Sequence, residues 1–144
     1  MWDILIIASK LFLAVILGWI IGIERETLGK PAGSRTYALI ALGSAFYTIL
    51  AVQGFNQTIM AGQIIVGIGF IGAGMIIFHK QHIEGLTTAS ALWAIAAVGM
   101  AIGIGWYIVA IFASLLIFLL LFIVRKIEFS KNKKNTLWTL FDKK

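Results

Sequence analysis

Five long apolar runs leave this chain few ways to fold. They extend from about Ile4 to Ile23, Thr36 to Gln53, Ala61 to Phe78, Thr87 to Ile104 and Trp106 to Val124. A helix crossing the hydrocarbon core needs roughly 17–25 mostly apolar residues, and each run supplies them. The runs are uniformly apolar without period-two alternation, so β-barrel strands fit them poorly. Only Gly103-Ile104-Gly105-Trp106 separates the last two, which predicts a helical hairpin. The expected fold is an all-α membrane protein, a polytopic bundle of five transmembrane helices over residues 1–124 with a basic tail over 125–144. Composition excludes a soluble enzyme as the default. Sixty per cent of the 144 residues are hydrophobic and 12% charged, against about 45–50% and about 25% in soluble domains.

The absence of Cys removes disulfides, thiol nucleophiles and Cys-based zinc sites. Met1-Trp2-Asp3 carries no basic residue and no Ala-x-Ala-like site follows the first run, so that run reads as an uncleaved anchor. Lys and Arg in short loops set orientation. Arg25, Lys30 and Arg35 follow the first run, Lys80 follows the third, and Arg125, Lys126, Lys131, Lys133, Lys134, Lys143 and Lys144 fill the tail. The alternate links, Gly54–Met60 and Gly103–Gly105, have none. This pattern predicts an outside N-terminus and a cytoplasmic C-terminus. It also accounts for the net charge of +6 without nucleic acid, for which no binding motif is present. The tail, with Trp138 near its end, suits contact with the anionic inner leaflet as well as a plain stop-transfer flank.

Lipid gives helices little hydrophobic reason to associate, so small side chains that allow close approach carry the packing. Ala14, Gly18 and Gly22 align on one face of the first run. Ala41, Ser44, Thr48 and Ala51 form a stripe on the second, and Ser90, Ala94, Ala97 and Ala101 one on the fourth. Gly62, Gly67, Gly69, Gly72 and Gly74 point in several directions, which places the third run at the bundle centre and leaves small faces over for a homo-oligomer. The leucine-rich fifth run reads as peripheral. Gly67, Gly69 and Gly72 also satisfy G-x-G-x-x-G, but that pattern binds phosphate only between a strand and a helix. Within an apolar run it reads as packing.

The remaining polar residues gather in two loops of one face: Glu24, Arg25, Glu26, Lys30 and Arg35 in the first, His79, Lys80, His82 and Glu84 in the second. One reading is a solvated face with weak helix-end salt bridges. The other is a binding site formed by Glu24, Arg25, Arg35 and Glu84, in which Arg25 or Arg35 neutralises Glu24 below the headgroups. No cofactor is required. Mg²⁺ has oxygen ligands available in Glu24, Glu26 and Glu84, though their spacing forms no recognised loop. His79 and His82, at i and i+3, are compatible with a transition-metal pair, a weak signal in a loop. Runs two to five carry no ionisable group near their centres, which disfavours a self-contained cation transporter. Lys10 lies about 9–10 Å along the first helix, near enough to its outer end to snorkel. No nucleophile–base–orienter set points to an enzyme.

Four stretches occur in an order that resembles the MgtC/SapB family of bacterial inner-membrane proteins: Gly22-Ile23-Glu24-Arg25-Glu26, Ala32 to Leu39 (AGSRTYAL), Gly62 to Gly74 (GQIIVGIGFIGAG) and Glu84 to Trp93 (EGLTTASALW). The resemblance implies a multi-pass, non-enzymatic protein of the bacterial cytoplasmic membrane, linked to magnesium limitation and stress adaptation. It further implies an accessory or regulatory role and a membrane-protein partner such as the F-type ATP synthase. By position, Glu24, Arg25, Arg35, Gly67, Gly69, Phe70, Gly72, Gly74, Gly85, Thr87 and Trp93 match the family's motif set. Longer members carry a soluble ACT-like domain after the last span; about twenty residues remain here, so the short branch is the closer match. Three readings follow: a membrane regulator with a charged cytoplasmic mouth, a divalent-cation transporter or channel subunit, and a structural assembly subunit sensitive to Gly69→Leu or Gly72→Leu.

Overall fold

The computed structural model describes residues 2–54, 58–80 and 82–123. The expected tail, Arg125 to Lys144, lies outside them. The described residues form α1 (Trp2–Thr27), α2 (Ser34–Ile49) continued by a π-helical turn (Leu50–Gly54), α3 (Thr58–Gly74), a hairpin of β1 (Ile77–Phe78) and β2 (Ile83–Glu84), α4 (Leu86–Ile104) and α5 (Tyr107–Ile123). Three helical segments are long and apolar enough to cross a membrane: Asp3–Thr27, Ser34–Gln53 and Leu86–Ile104. The apolar stretches Gly62–Gly74 and Tyr107–Ile123 are shorter.

The first helix outlasts its apolar run by four residues. Its last turn therefore carries Glu24, Arg25 and Glu26, which the sequence alone assigned to a loop. The helix stops where Gly29 turns to φ +61°. The Gly29 N–H donates to the Glu26 carbonyl at 2.9 Å and the Lys30 N–H to the Arg25 carbonyl at 3.1 Å. This is the Schellman pattern, which favours glycine at the left-handed position, and Pro31 then prevents resumption of the helix. The third helix ends earlier than its run: Met75 and Ile76 turn, and Ile77–Phe78 become a strand.

The packed half of the molecule consists of α1, α2 and α4. Helix α1 runs antiparallel to α2, since Gly18 meets the backbone of Tyr37 and Ala38 while Gly22 meets Ser34. Helices α2 and α4 run parallel, with Gly99 against Ala41 and Ser44 and Gly103 against Ala45 and Thr48. The α1–α2 loop and the β-hairpin consequently lie at one end, and the α4–α5 turn at the other. The core joins Ala14, Ile21, Tyr37, Ala41, Ala45, Leu92, Ile95, Val98 and Ile102 with Ala110 and Leu121 of α5. The remaining face of α5, including Leu115, Leu116, Leu119, Leu120 and Phe122, is exposed.

Three packing expectations need correcting. The glycine-rich α3 flanks the bundle rather than filling its centre, and it lies chiefly on α4. Within 4 Å of a Cβ at Gly62, Gly67, Gly69 or Gly74 there is nothing among the described residues, while one at Gly72 would meet Ala89 at 3.6 Å. On α4 the expected stripe is only half used, with Ser90 and Ala97 exposed and Ala94 and Ala101 half-buried; Gly99 and Gly103 make the close approach instead. Lys10 does not snorkel. It is 5% exposed, and its Nζ donates to the Gly103 carbonyl at 2.8 Å, placing a cation on the C-terminal carbonyls of α4. The stripes Ala14/Gly18/Gly22 and Ala41/Ser44/Thr48/Ala51 are buried as expected.

Candidate functional site

The loop end of the packed half holds two separate polar groups. The first is built by the contact of α1 with α2. Glycine at position 22 lets the last turn of α1 touch the first residue of α2, because a Cβ there would stand 2.5 Å from the Ser34 Cα. That contact buries Glu24 and Arg25, 7% and 4% exposed, beside Tyr37, which is fully buried. Arg25 Nη1 stands 3.7 Å from Glu24 Oε2. This is an ion contact longer than an ordinary hydrogen bond. Both Glu24 oxygens, Arg25 Nε and the Tyr37 hydroxyl are buried without a hydrogen-bond partner among the described residues. Buried polar groups are nearly always satisfied, so four such groups in one place make this cluster the candidate binding point. The carboxylate accepts donors or a cation, while the guanidinium and phenol donate to an acceptor.

Glu26 faces the other way and fixes the geometry. Its Oε2 accepts from the Ser34 N–H at 2.9 Å and from the Ser34 hydroxyl. A carboxylate from α1 thereby caps the N-terminus of α2, whose own N-cap residue is Gly33. Arg35 is exposed and stands within electrostatic reach of Glu26, and it makes no ion pair among the described residues.

The second group is on the hairpin. Ile77 pairs with Glu84 and Phe78 with Ile83, and the His79 N–H donates to the His82 carbonyl at 2.9 Å. Strand alternation then puts His79, His82 and Glu84 on one face. His82 Nε2 donates to Glu84 Oε1 at 2.9 Å, and His79 Nε2 lies 3.7 Å from Glu84 Oε2. The His82 hydrogen bond first, and then the charge of His79, hold the Glu84 carboxyl below its ordinary value. Gly85 anchors the arrangement at φ +83°, and a Cβ there would come 1.8 Å from the Met75 carbonyl oxygen.

The four residues expected at a single mouth are thus distributed. Glu24 and Arg25 are together and buried, Arg35 is exposed near Glu26, and Glu84 belongs with the histidines. No ion pair links the two groups among the described residues. Of the other motif positions, Phe70 is 84% exposed, and Thr87 and Trp93 are exposed on α4. Sequence reasoning missed Tyr37 as a partner of the ion pair and Ser34 as the partner of Glu26. The signal was Glu26 and Ser34 flanking a Gly-Lys-Pro turn, which folds two helix ends onto each other.

Comparison with known proteins identifies the family. The model of the MgtC family matches residues 11–130. The "Putative magnesium transporter YhiD" of Escherichia coli K12 is 40% identical over 137 residues, covering 88% of this chain and 64% of its own length. Protein SapB of Bacillus subtilis is 39% identical, covering 85% of this chain and 56% of its own. Protein MgtC of Salmonella typhimurium LT2 is 37% identical, covering 75% and 48%. The chain spans roughly half to two thirds of the length of these relatives. No solved structure matches. With a family model covering most of its length and relatives near 40% identity, the chain belongs to the MgtC family.

Proposed function

We propose that this chain is a non-enzymatic accessory or regulatory protein of the bacterial cytoplasmic membrane, crossing it five times with its N-terminus outside. In this reading α1, α2 and α4 form a rigid body, and the buried Glu24–Arg25–Tyr37 cluster at its cytoplasmic end engages a polar group of a partner or a small ionic ligand. The observation that carries it is the buried Glu24 carboxylate, which has Arg25 3.7 Å away but no hydrogen-bond partner among the described residues. A carboxylate held in that state costs free energy unless something binds it. Its position near a helix end, away from mid-span, suits recognition at the surface better than a relay through the bilayer. The basic residues of the two loops at that end of the packed half, Lys30, Arg35 and Lys80, fit the inner leaflet. The partner class is a membrane protein, and the F-type ATP synthase is the one suggested by the family resemblance.

Growth of a deletion strain under magnesium limitation, complemented by wild type or variants, tests the reading. Glu24→Gln and Arg25→Lys should abolish complementation while the protein accumulates in the membrane at wild-type levels. Full complementation by both overturns it. The name carried by YhiD favours a second reading, a magnesium transporter. Proteoliposomes containing only this chain decide between them: a Mg²⁺ flux above that of empty vesicles supports transport, and its absence supports regulation.

A further inference from the structure

The hairpin cluster has no part in the buried Glu24–Arg25–Tyr37 group, and its geometry has a chemistry of its own. One ligand atom from each of His79, His82 and Glu84 falls within 4.8 Å of the others. The imidazoles stack with ring centroids 4.7 Å apart and planes 19° from parallel. Three features hold the group in place without any ion: the β1–β2 register, the His79–His82 backbone hydrogen bond and the Gly85 turn against Met75. We infer that His79, His82 and Glu84 form a binding site for a divalent transition-metal ion of the zinc type, set on the hairpin joining α3 to α4.

The distances support this assignment. Tetrahedral zinc with nitrogen and oxygen ligands at about 2.0–2.2 Å separates neighbouring ligand atoms by roughly 3.3 Å. His82 Nε2 stands 2.9 Å from Glu84 Oε1 and His79 Nε2 stands 3.7 Å from Glu84 Oε2, and with one ligand atom per residue all three lie within 4.8 Å. Side-chain shifts of about an ångström or more would therefore close the set around an ion. All three side chains are exposed, which leaves the fourth position to water and gives an ion free entry. Two imidazoles and one carboxylate form the open three-ligand set typical of zinc. They select against Mg²⁺, which demands near-octahedral oxygen and dehydrates reluctantly. An ion there would cross-link β1 to β2 and so tie the end of α3 to the start of α4.

Titration of the purified full chain, free of any histidine tag, with Co²⁺ in detergent tests the site, because the visible bands of bound Co²⁺ report its ligands. One equivalent of Co²⁺ should bind, be displaced by Zn²⁺ and resist a large excess of Mg²⁺. His79→Gln and His82→Gln should each weaken binding by at least about 10–100-fold, the loss that even an outer-shell partner causes. Glu84→Gln should weaken it as well, whereas Lys80→Gln and Glu24→Gln should leave it unchanged. The Glu24 variant separates this site from the buried cluster, so either can fail alone. The inference is overturned if wild type binds Co²⁺ no more tightly than the double histidine variant while both retain the same helical circular dichroism, or if Mg²⁺ displaces Co²⁺ as well as Zn²⁺ does.

Discussion

Helix α3 has five glycines and α4 only two, yet it is α4 that uses them for packing. In α4, a Cβ at Gly99 would stand 2.3 Å from the Ala41 carbonyl oxygen, and one at Gly103 would stand 2.7 Å from Thr48 Cβ. In α3, four of the glycines meet nothing among the described residues. Glycine permits close approach but does not compel it; a complementary ridge must lie opposite. Helix α2 supplies that ridge with Ala41, Ser44, Ala45 and Thr48, all buried. Helix α3 presents Ile65, Val66, Phe70 and Ile71 outward instead. The count of small residues is therefore a poor guide to which helix is central.

Four substitutions sharpen this contrast between packed half and flank. Arg25→Met should have the largest effect, because it strands the buried Glu24 carboxylate. A loss of about 3–5 kcal/mol is expected from breaking a buried pair, with stability largely restored in Glu24→Gln/Arg25→Met. Unfolding in mixed detergent micelles measures both, and an unaltered single variant would mean that the pair is not buried. Gly99→Leu should cost about 1–3 kcal/mol or more by forcing α4 off α2, read in the same titration. Lys10→Met should cost about 1.5–3 kcal/mol through loss of a charged hydrogen bond to Gly103. Labelling of position 10 in a Lys10→Cys variant provides a second check, since a buried position reacts slowly. Gly69→Leu should change the stability of the isolated chain by no more than about 0.5 kcal/mol. If it nevertheless abolishes complementation, the open face of α3 meets another protein in the cell.

Much of the fold was legible in the sequence, because transmembrane length and hydropathy constrain so strongly. The five apolar runs correspond to five helices, and two of the three small-residue stripes are buried. What failed was partnership. Periodicity shows that Ser90, Ala94, Ala97 and Ala101 share a side of α4, but not that α2 lies on the side of Gly99 and Gly103. The site was legible in part. Glu24 and Arg25 stood out as ionic groups near an apolar run, whereas Tyr37 is distant in sequence and reads as one more aromatic. The hairpin escaped because Ile77 and Phe78 continue the hydropathy of α3, and two-residue strands leave no period to detect. Only the spacing of His79, His82 and Glu84 around Lys80 and Gln81 hinted at it.

The bond from Lys10 to Gly103 ties together residues made far apart in time. The first helix leaves the ribosome with its ammonium group still lacking the acceptor it will finally use, and that acceptor arrives about ninety residues later at the end of α4. Until then the ammonium group needs another partner, since a charge buried among apolar side chains without one is costly. The contact therefore makes the seating of the first helix depend on the fourth: the end of the packed half at the α4–α5 turn is complete only once Gly103 is in place.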